Sequence, residues 1–389
     1  MTSSSIEFSM FLIFTGAAVM ATAALFARQA MLVAYILLGI LLGPWGVALV
    51  SDPTLIQDIS NIGIIFLLFL LGVDLLPRQL MQMLGEALST TLLSSLVFWA
   101  MGFAVGYAFG YPGADALLIG VALMFSSTII GVKLMPTTSL HHRHTGQMII
   151  SVLLIQDLLA ILALLLLQGY GKGTDLAWDI LKQLGMLPVL VAVSWALDRY
   201  VLEKLITRFD QIHEYIFLLA IAWCLGIAEL ASAMGLSREI GAFTAGVTLA
   251  YSPIALFITE KLKPLRDFFL ILFFFSLGAG FNMAALDSIL LPAALLALFA
   301  VLIKPLIFRF LFVRAGEKPS VSMEVGFRLG QISEFSLLIA VLAVDSRFIG
   351  ETTSYLIQLA TLLTFIVSSY HIVLRYPTPI AVTDRLRRD

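Results

Sequence analysis

Asp157 raises the first chemical question. With Gln156 it stands near the middle of Ile149–Leu167, a run that is otherwise almost wholly apolar. A helix rises about 1.5 Å per residue, so such a run crosses a hydrocarbon core of roughly 30 Å and sets Asp157 near its midplane. An ionised carboxylate at that depth costs about 2.5–3.5 kcal/mol on insertion scales, where Leu or Ala would be cheap. A carboxylate kept at such a cost points to function. It holds one proton or one monovalent cation, not both. One site, two competing ligands and alternate opening to the two sides of a membrane amount to exchange.

Lys304 comes next. It lies inside the apolar stretch 288–312, directly before Pro305. An unpaired ammonium is as costly there as the carboxylate, and Asp157 is its natural counter-charge. Pro305 has no N–H and crowds the carbonyl of Val301, which kinks a helix. The other reading is that Lys304 snorkels to the cytoplasmic interface. Arg328 and Glu334 share the stretch 322–344. Six residues apart on a continuous helix they face away from each other, and they approach only if the helix breaks between them. Otherwise Glu334 pairs with the fifth stretch or caps a broken helix end. Gln156 can donate to the carboxylate or line the site with its carbonyl, and it adds no second titratable charge. That favours one proton exchanged per cation with no net charge moved, as long as Lys304 keeps its proton.

These residues need elements to hold them. The chain has 389 residues, 60% hydrophobic and 12% charged, against about 25% charged in soluble domains. It reads as an all-α polytopic membrane protein. A net charge of −2 argues against nucleic acid as a partner. The single cysteine, Cys224, excludes a disulfide within the chain. The N-terminus has no basic region or cleavage signal and reads as the start of a first span. Thirteen apolar segments follow one another: 6–27, 30–49, 56–73, 87–109, 114–135, 148–168, 180–201, 213–232, 238–257, 267–283, 288–312, 322–344 and 351–374. With the N-terminus outside, seventeen of the 23 Lys and Arg fall in cytoplasmic loops and four in external ones. The asymmetry sets the N-terminus periplasmic and the C-terminus cytoplasmic.

Segments 1–6 then start outside and segments 8–13 inside. Two six-span halves of opposite orientation suggest an inverted repeat, the plan of secondary transporters with midplane ion sites. The expected organisation is a first repeat over 1–175, a linker span over 176–212, a second repeat over 213–376 and a cytoplasmic tail over 377–389. The fifth span of each half carries a polar interruption. One holds Ser126, Ser127 and Thr128; the other holds Gly330, Gln331, Ser333, Glu334 and Ser336. Non-helical backbone at membrane depth is tolerated only against protein or a wet cavity. The plainer reading is that these hydroxyls bond back to the preceding turn.

Other motifs carry less. His141–His144 is a cytoplasmic loop run, either solvated or a pH or metal sensor. Arg238 between Glu229 and Glu239 reads as a local ion pair. Gly102, Gly106 and Gly110 form GxxxG steps that suit close helix packing. His213-Glu214 lacks the second His of a zinc motif. No glycine-rich phosphate loop and no paired membrane aspartates are present, which sets aside ATP-driven pumping and intramembrane proteolysis.

Seven stretches in order, Leu41–Val47, Asn61–Leu75, Ser126–Ile130, Leu153–Ile161, Gly235–Ala250, Phe273–Asn282 and Gly330–Ile339, carry a family likeness. The chain resembles the monovalent cation:proton antiporter-2 family, most closely its Kef-type potassium efflux branch. The Gln156-Asp157 pair is the most telling feature, since related sodium exchangers more often carry Asn-Asp or Asp-Asp. The resemblance implies a sodium/proton antiporter fold of 13 transmembrane helices. Spans 1–3 and 8–10 would form a dimerisation scaffold, and spans 4–6 and 11–13 a moving core with spans 5 and 12 broken and crossing. It implies potassium bound at Asp157 with Gln156, Ser127 and Thr128. Lys304 would be the paired membrane lysine, and Ser126, Arg328, Gly330, Gln331, Ser333 and Glu334 would support the broken helices. No cofactor is implied. The partners are a potassium or sodium ion, a proton, the lipid bilayer and a second copy in a homodimer, in a bacterial inner membrane. Two departures stand out. Ile332-Ser333 replaces the common Gly-Gly, so the second break is expected to be less open or shifted toward Gly330. Kef-type proteins usually continue into a cytosolic nucleotide-binding regulatory domain, whereas the sequence given stops at Asp389, as either a short relative or a piece of a longer chain. The expected function is potassium:proton antiport. Sodium:proton antiport is the alternative on the same fold. A potassium channel is a distant third, for want of a carbonyl-lined filter motif.

Overall fold

A computed structural model describes residues 6–50, 52–74, 77–135, 144–169, 176–209, 212–251 and 255–378. Every regular element among them is helical. An apolar chain in lipid must satisfy its backbone internally, and a helix does so segment by segment. In order these are α1 (Ile6–Phe26), α2 (Met31–Leu42), α3 (Pro53–Asp74), α4 (Pro77–Ala108), α5 (Gly113–Met124), α6 (Thr128–Lys133) and α7 (His144–Gly169). Then come α8 (Leu176–Leu197), α9 (Glu203–Arg208), α10 (His213–Ala233), α11 (Arg238–Ala250) and α12 (Ala255–Ala279). The last are α13 (Leu286–Leu298), α14 (Lys304–Arg314), α15 (Pro319–Arg328), α16 (Glu334–Asp345) and α17 (Glu351–Arg375). Wide π turns join α8 to α9 over Asp198–Leu202 and α13 to α14 over Phe299–Ile303. Among the described residues eight helical stretches are each long and apolar enough to cross a membrane.

The chain divides into two compact units. One comprises 1–17, 35–80 and 168–280. Its helices approach through glycines. A Cβ on Gly72 of α3 would run into Phe243 O and stand 2.8 Å from Val247 N on α11. A Cβ on Gly246 of α11 would meet Phe69 O and stand 2.8 Å from Val73 N on α3. Gly39 of α2 and Gly278 of α12 face each other in the same way. Small residues allow this approach where lipid leaves helices no hydrophobic reason to associate. Phe66 and Phe269 stack with ring centroids 4.3 Å apart. Cys224 is buried and free.

The second unit comprises 18–34, 81–167 and 281–389. Here α4 packs on α5, Gly102 against Gly120 and Gly106 against Ala116. Gly110 is not part of that seam. It lies two residues past the end of α4 with φ 79° and open space around it, so it turns the chain out of the helix instead of packing it.

The fifth and twelfth apolar segments are interrupted. α5 stops at Met124, Phe125–Ser127 runs without helix, and α6 begins at Thr128. α15 stops at Arg328, Leu329–Ser333 runs without helix, and α16 begins at Glu334. The second break therefore opens ahead of Gly330 and takes in Ile332-Ser333. Pro305 is accommodated by the π turn before it. The Lys304 N–H reaches back five residues to Phe299 O, and Pro305 falls in the first turn of α14, where no N–H is needed. Gly326 of α15 lies against Pro305, leaving no room for a Cβ.

Candidate cation-binding site

All the residues singled out around the breaks belong to the second unit. Asp157 sits at the middle of α7, 6% exposed. Gln156, one residue earlier, is buried and faces the first break. Its Oε1 accepts from the Ser126 N–H at 2.9 Å, and its Nε2 donates to Met124 O at 3.1 Å. Both ends of one amide thus satisfy backbone that the end of α5 leaves open. Asp157 is fixed to this same stretch of α7.

Each hydroxyl of the first break has a distinct role. Ser126 Oγ donates to Leu329 O across the two breaks at 2.8 Å. Ser127 Oγ accepts from the Ile130 N–H at 3.2 Å and so caps α6. Thr128 opens α6, and its Oγ1 is buried without a hydrogen-bond partner among the described residues. A buried hydroxyl left this way at a helix break has an oxygen available to a ligand.

The second break is tied to the first. Gln331 Nε2 donates to Arg328 O at 2.8 Å and to Ser127 O at 3.3 Å, while its Oε1 accepts from Ser368 Oγ at 3.1 Å. Ser333 caps α16 by accepting from the Phe335 N–H. Glu334 occupies the first turn of α16, where the helix dipole favours a carboxylate. Ser336 Oγ donates to Ala122 O of α5 at 2.7 Å. Gly330 runs close under Pro305 and Ala300 O.

Lys304 reaches both breaks. It is wholly buried, which rules out snorkelling. Its ammonium donates to Phe125 O at 3.0 Å, Ser126 Oγ at 3.2 Å and Gln331 O at 3.1 Å. It also lies 5.0 Å from the centre of the Phe98 ring. The ammonium thus reaches oxygens exposed where the two helices break.

Arg328 likewise turns away from Glu334. It is 1% exposed and pairs with Glu324 one turn back at 3.0 Å. Its remaining donors reach Leu134 O beyond α6 and Pro377 O beyond α17. It binds the end of α15 to the exits of two other elements. His144 meets Glu317 at 2.7 Å; His141, His142 and Arg143 lie outside the described residues. The Arg238–Glu229 pair forms at 2.8 Å. Among the described residues no group of three or more His, Cys, Asp or Glu could hold a metal.

Sequence reading missed three contributors. Thr364 of α17 accepts from the Ile332 N–H at 3.1 Å, Ser368 supports Gln331, and Phe98 underlies Lys304. The first two belong to a polar stripe, Thr361, Thr364 and Ser368, at helical spacing in an apolar span, which is a readable signal. A phenylalanine among 28 gives none.

Similarity to known proteins bears on this arrangement. Over 348 residues the chain is 30% identical to K(+) efflux antiporter 4 of Arabidopsis thaliana, a match covering 86% of this chain and 58% of that protein. The chain therefore spans little more than half the length of that relative. The fold is similar to that of the sodium proton antiporter MjNhaP1 from Methanocaldococcus jannaschii, with a TM-score of 0.66, 18% identity, and coverage of 94% of this chain and 95% of that one. The family model described as sodium/hydrogen exchanger, transmembrane, matches residues 11–374. With nearly its whole length covered and its two broken helices tied together at Lys304, the chain belongs to the sodium/hydrogen exchanger family.

Proposed function

We propose that the protein is a potassium:proton antiporter in which the two ions compete for Asp157. Membership of an exchanger family makes it a secondary transporter and not an enzyme. The observation that carries the reading is the buried Asp157 carboxylate in mid-helix, beside a break whose Thr128 hydroxyl is open to a ligand. Asp157 and Thr128 Oγ1 are the cation oxygens in this reading. Gln156 and Ser127 hold the broken backbone that surrounds them. Potassium is chosen over sodium on two grounds: the Gln-Asp pair, and the name of the Arabidopsis relative.

Exchange is one for one and electroneutral in this reading. Lys304 is held by three oxygens of the breaks, so its charge stays in place while Asp157 alternates between proton and cation. The membrane arrangement follows the same proposal: thirteen spans in two inverted repeats, N-terminus outside, a homodimer in a bacterial inner membrane. Two pairs of matching contacts support the repeat. Gln156 and Thr364 each accept from a backbone N–H of a break, at Ser126 and Ile332. Gly39–Gly278 and Gly72–Gly246 are matching crossings.

The test is proton flux into proteoliposomes, read with a pH-sensitive dye while potassium, sodium and lithium are titrated in turn. Potassium is expected to drive the signal at the lowest concentration. An equal response to sodium, or none to potassium, would sink the potassium assignment. Asp157→Asn is expected to abolish exchange with every cation. Exchange retained in that variant would mean that the ions bind elsewhere.

A further inference from the structure

We propose that Asp198 and Ser194 form a second site for a monovalent alkali cation, apart from the exchange site at Asp157. Asp198 lies within Gly185–Arg208, one of the stretches long and apolar enough to cross a membrane. It opens the π turn that joins α8 to α9. Its side chain is 6% exposed, and its Oδ1 is buried with no hydrogen-bond partner among the described residues. Ser194 stands one helical turn earlier on α8. It is wholly buried, and its Oγ is likewise without a partner among the described residues. The two share one face of the helix, for Leu190, Ser194, Asp198, Leu202 and Ile206 follow at four-residue spacing and all are buried. Residues so spaced have Cβ atoms about 5–6 Å apart, close enough for both side chains to reach one ion.

A carboxylate buried in such a stretch is costly until a positive charge meets it. The neighbouring side chains do not bring one. Arg199 follows Asp198 and so points about 100° away round the helix, where its Nη1 pairs with Glu203 Oε2 at 2.8 Å in a more exposed position. Lys204 and Arg208 line the same outer groove as Arg199. The oxygens also suit an alkali ion better than a proton. A proton would draw Asp198 and Ser194 into one hydrogen bond, and no hydrogen bond joins them. Oxygens that share one alkali ion stand farther apart than oxygens that share a proton. One carboxylate matches one positive charge, and the serine adds a neutral ligand. The π turn loosens the backbone at the same point. The Glu203 N–H reaches back five residues to Asp198 O, and a turn of that kind skips a carbonyl that an α-helix would bond. Asp198 belongs to the first compact unit and Asp157 to the second, so the inference stands whether or not potassium is the ion exchanged at Asp157.

The experiment uses the full chain purified in detergent, with thermal melting as readout. Potassium or sodium chloride is titrated while choline chloride keeps the ionic strength constant. Asp157→Asn removes the carboxylate of the exchange site, so a response that remains comes from elsewhere. That variant is expected to gain Tm saturably with at least one of the two ions. Asp157→Asn combined with Asp198→Asn is expected to give a flat titration. Asp157→Asn combined with Ser194→Ala loses one neutral ligand and is expected to need about ten times more ion for half the effect. The proposal is overturned if Asp157→Asn responds to neither ion, or responds equally with and without Asp198. In the first case, a rise on acidification in choline alone that needs Asp198 would identify the ligand as a proton. Should Asp157→Asn fail to fold, the amount of radioactive rubidium bound per purified chain decides. Two ions on the parent and one on Asp198→Asn support the second site, and equal binding to both overturns it. Should Asp198→Asn fail to fold, Ser194→Ala takes its place, and an unchanged rubidium titration overturns the proposal.

Discussion

Gln156 and Lys304 share a use that their side chains do not advertise. Each satisfies backbone at the breaks. The reason is the cost of backbone polar groups in lipid: an N–H or C=O freed from a helix there must find a partner in the protein. Gln156 meets this need with both ends of its amide, at Ser126 N and Met124 O. Removing one buried partner costs about 1–3 kcal/mol for the group left behind. Gln156→Leu orphans two groups and is expected to lower the Tm of the full chain. A melt that matches the parent would show that the amide does not hold the break. Asp157 was legible in the sequence because a lone carboxylate among leucines has few reasons to be there. The partners of Lys304 were not, because a backbone carbonyl has no letter of its own.

At the scale of elements, the two breaks divide what composition reads as single spans. Gly113–Met124 and Glu334–Asp345 have 12 residues each and Pro319–Arg328 has 10, all too short to cross a bilayer alone. An apolar window does not register the interruption, since Phe125, Leu329 and Ile332 are as hydrophobic as their neighbours. What betrayed the breaks was their hydroxyls. Ser127 and Ser333 cap the helices that follow, as Ser does at any helix start. The position of the second break was legible only in part, for the shift ahead of Gly330 depends on contacts with Pro305 and Thr364 from other elements. Thr364→Val tests the support from α17. The change conserves shape and removes the acceptor for the Ile332 N–H, a loss of about 1–3 kcal/mol. Amide hydrogen exchange over 329–333 is expected to quicken while the rest of the second unit stays protected. Unchanged protection there would mean that Thr364 does not hold the break.

For the whole molecule, the question is how much charge each cycle carries across the membrane. Fixed charges do not contribute if they return to the same state at the end of a cycle. Lys304 has three acceptors from the breaks, and Arg328 is locked to Glu324, Leu134 O and Pro377 O, so neither needs a proton exchange to remain buried. In the proposed cycle Asp157 is the carboxylate that alternates, and it carries one positive charge in either form, as proton or as cation. On that proposal the net movement per cycle is zero. Moving one charge against 100 mV is worth about 2.3 kcal/mol, so an electroneutral cycle is indifferent to a potential that would drive or stall an electrogenic one. The two cases separate when proton flux and charge movement are recorded on the same proteoliposomes. With a potassium gradient the pH dye is expected to respond while a solid-supported membrane registers no sustained current. A current that grows with the dye signal would show that a second group titrates in the cycle. Lys304→Gln then identifies it: if the current disappears while the dye response persists, Lys304 releases its proton in each cycle and its hold on the breaks is intermittent.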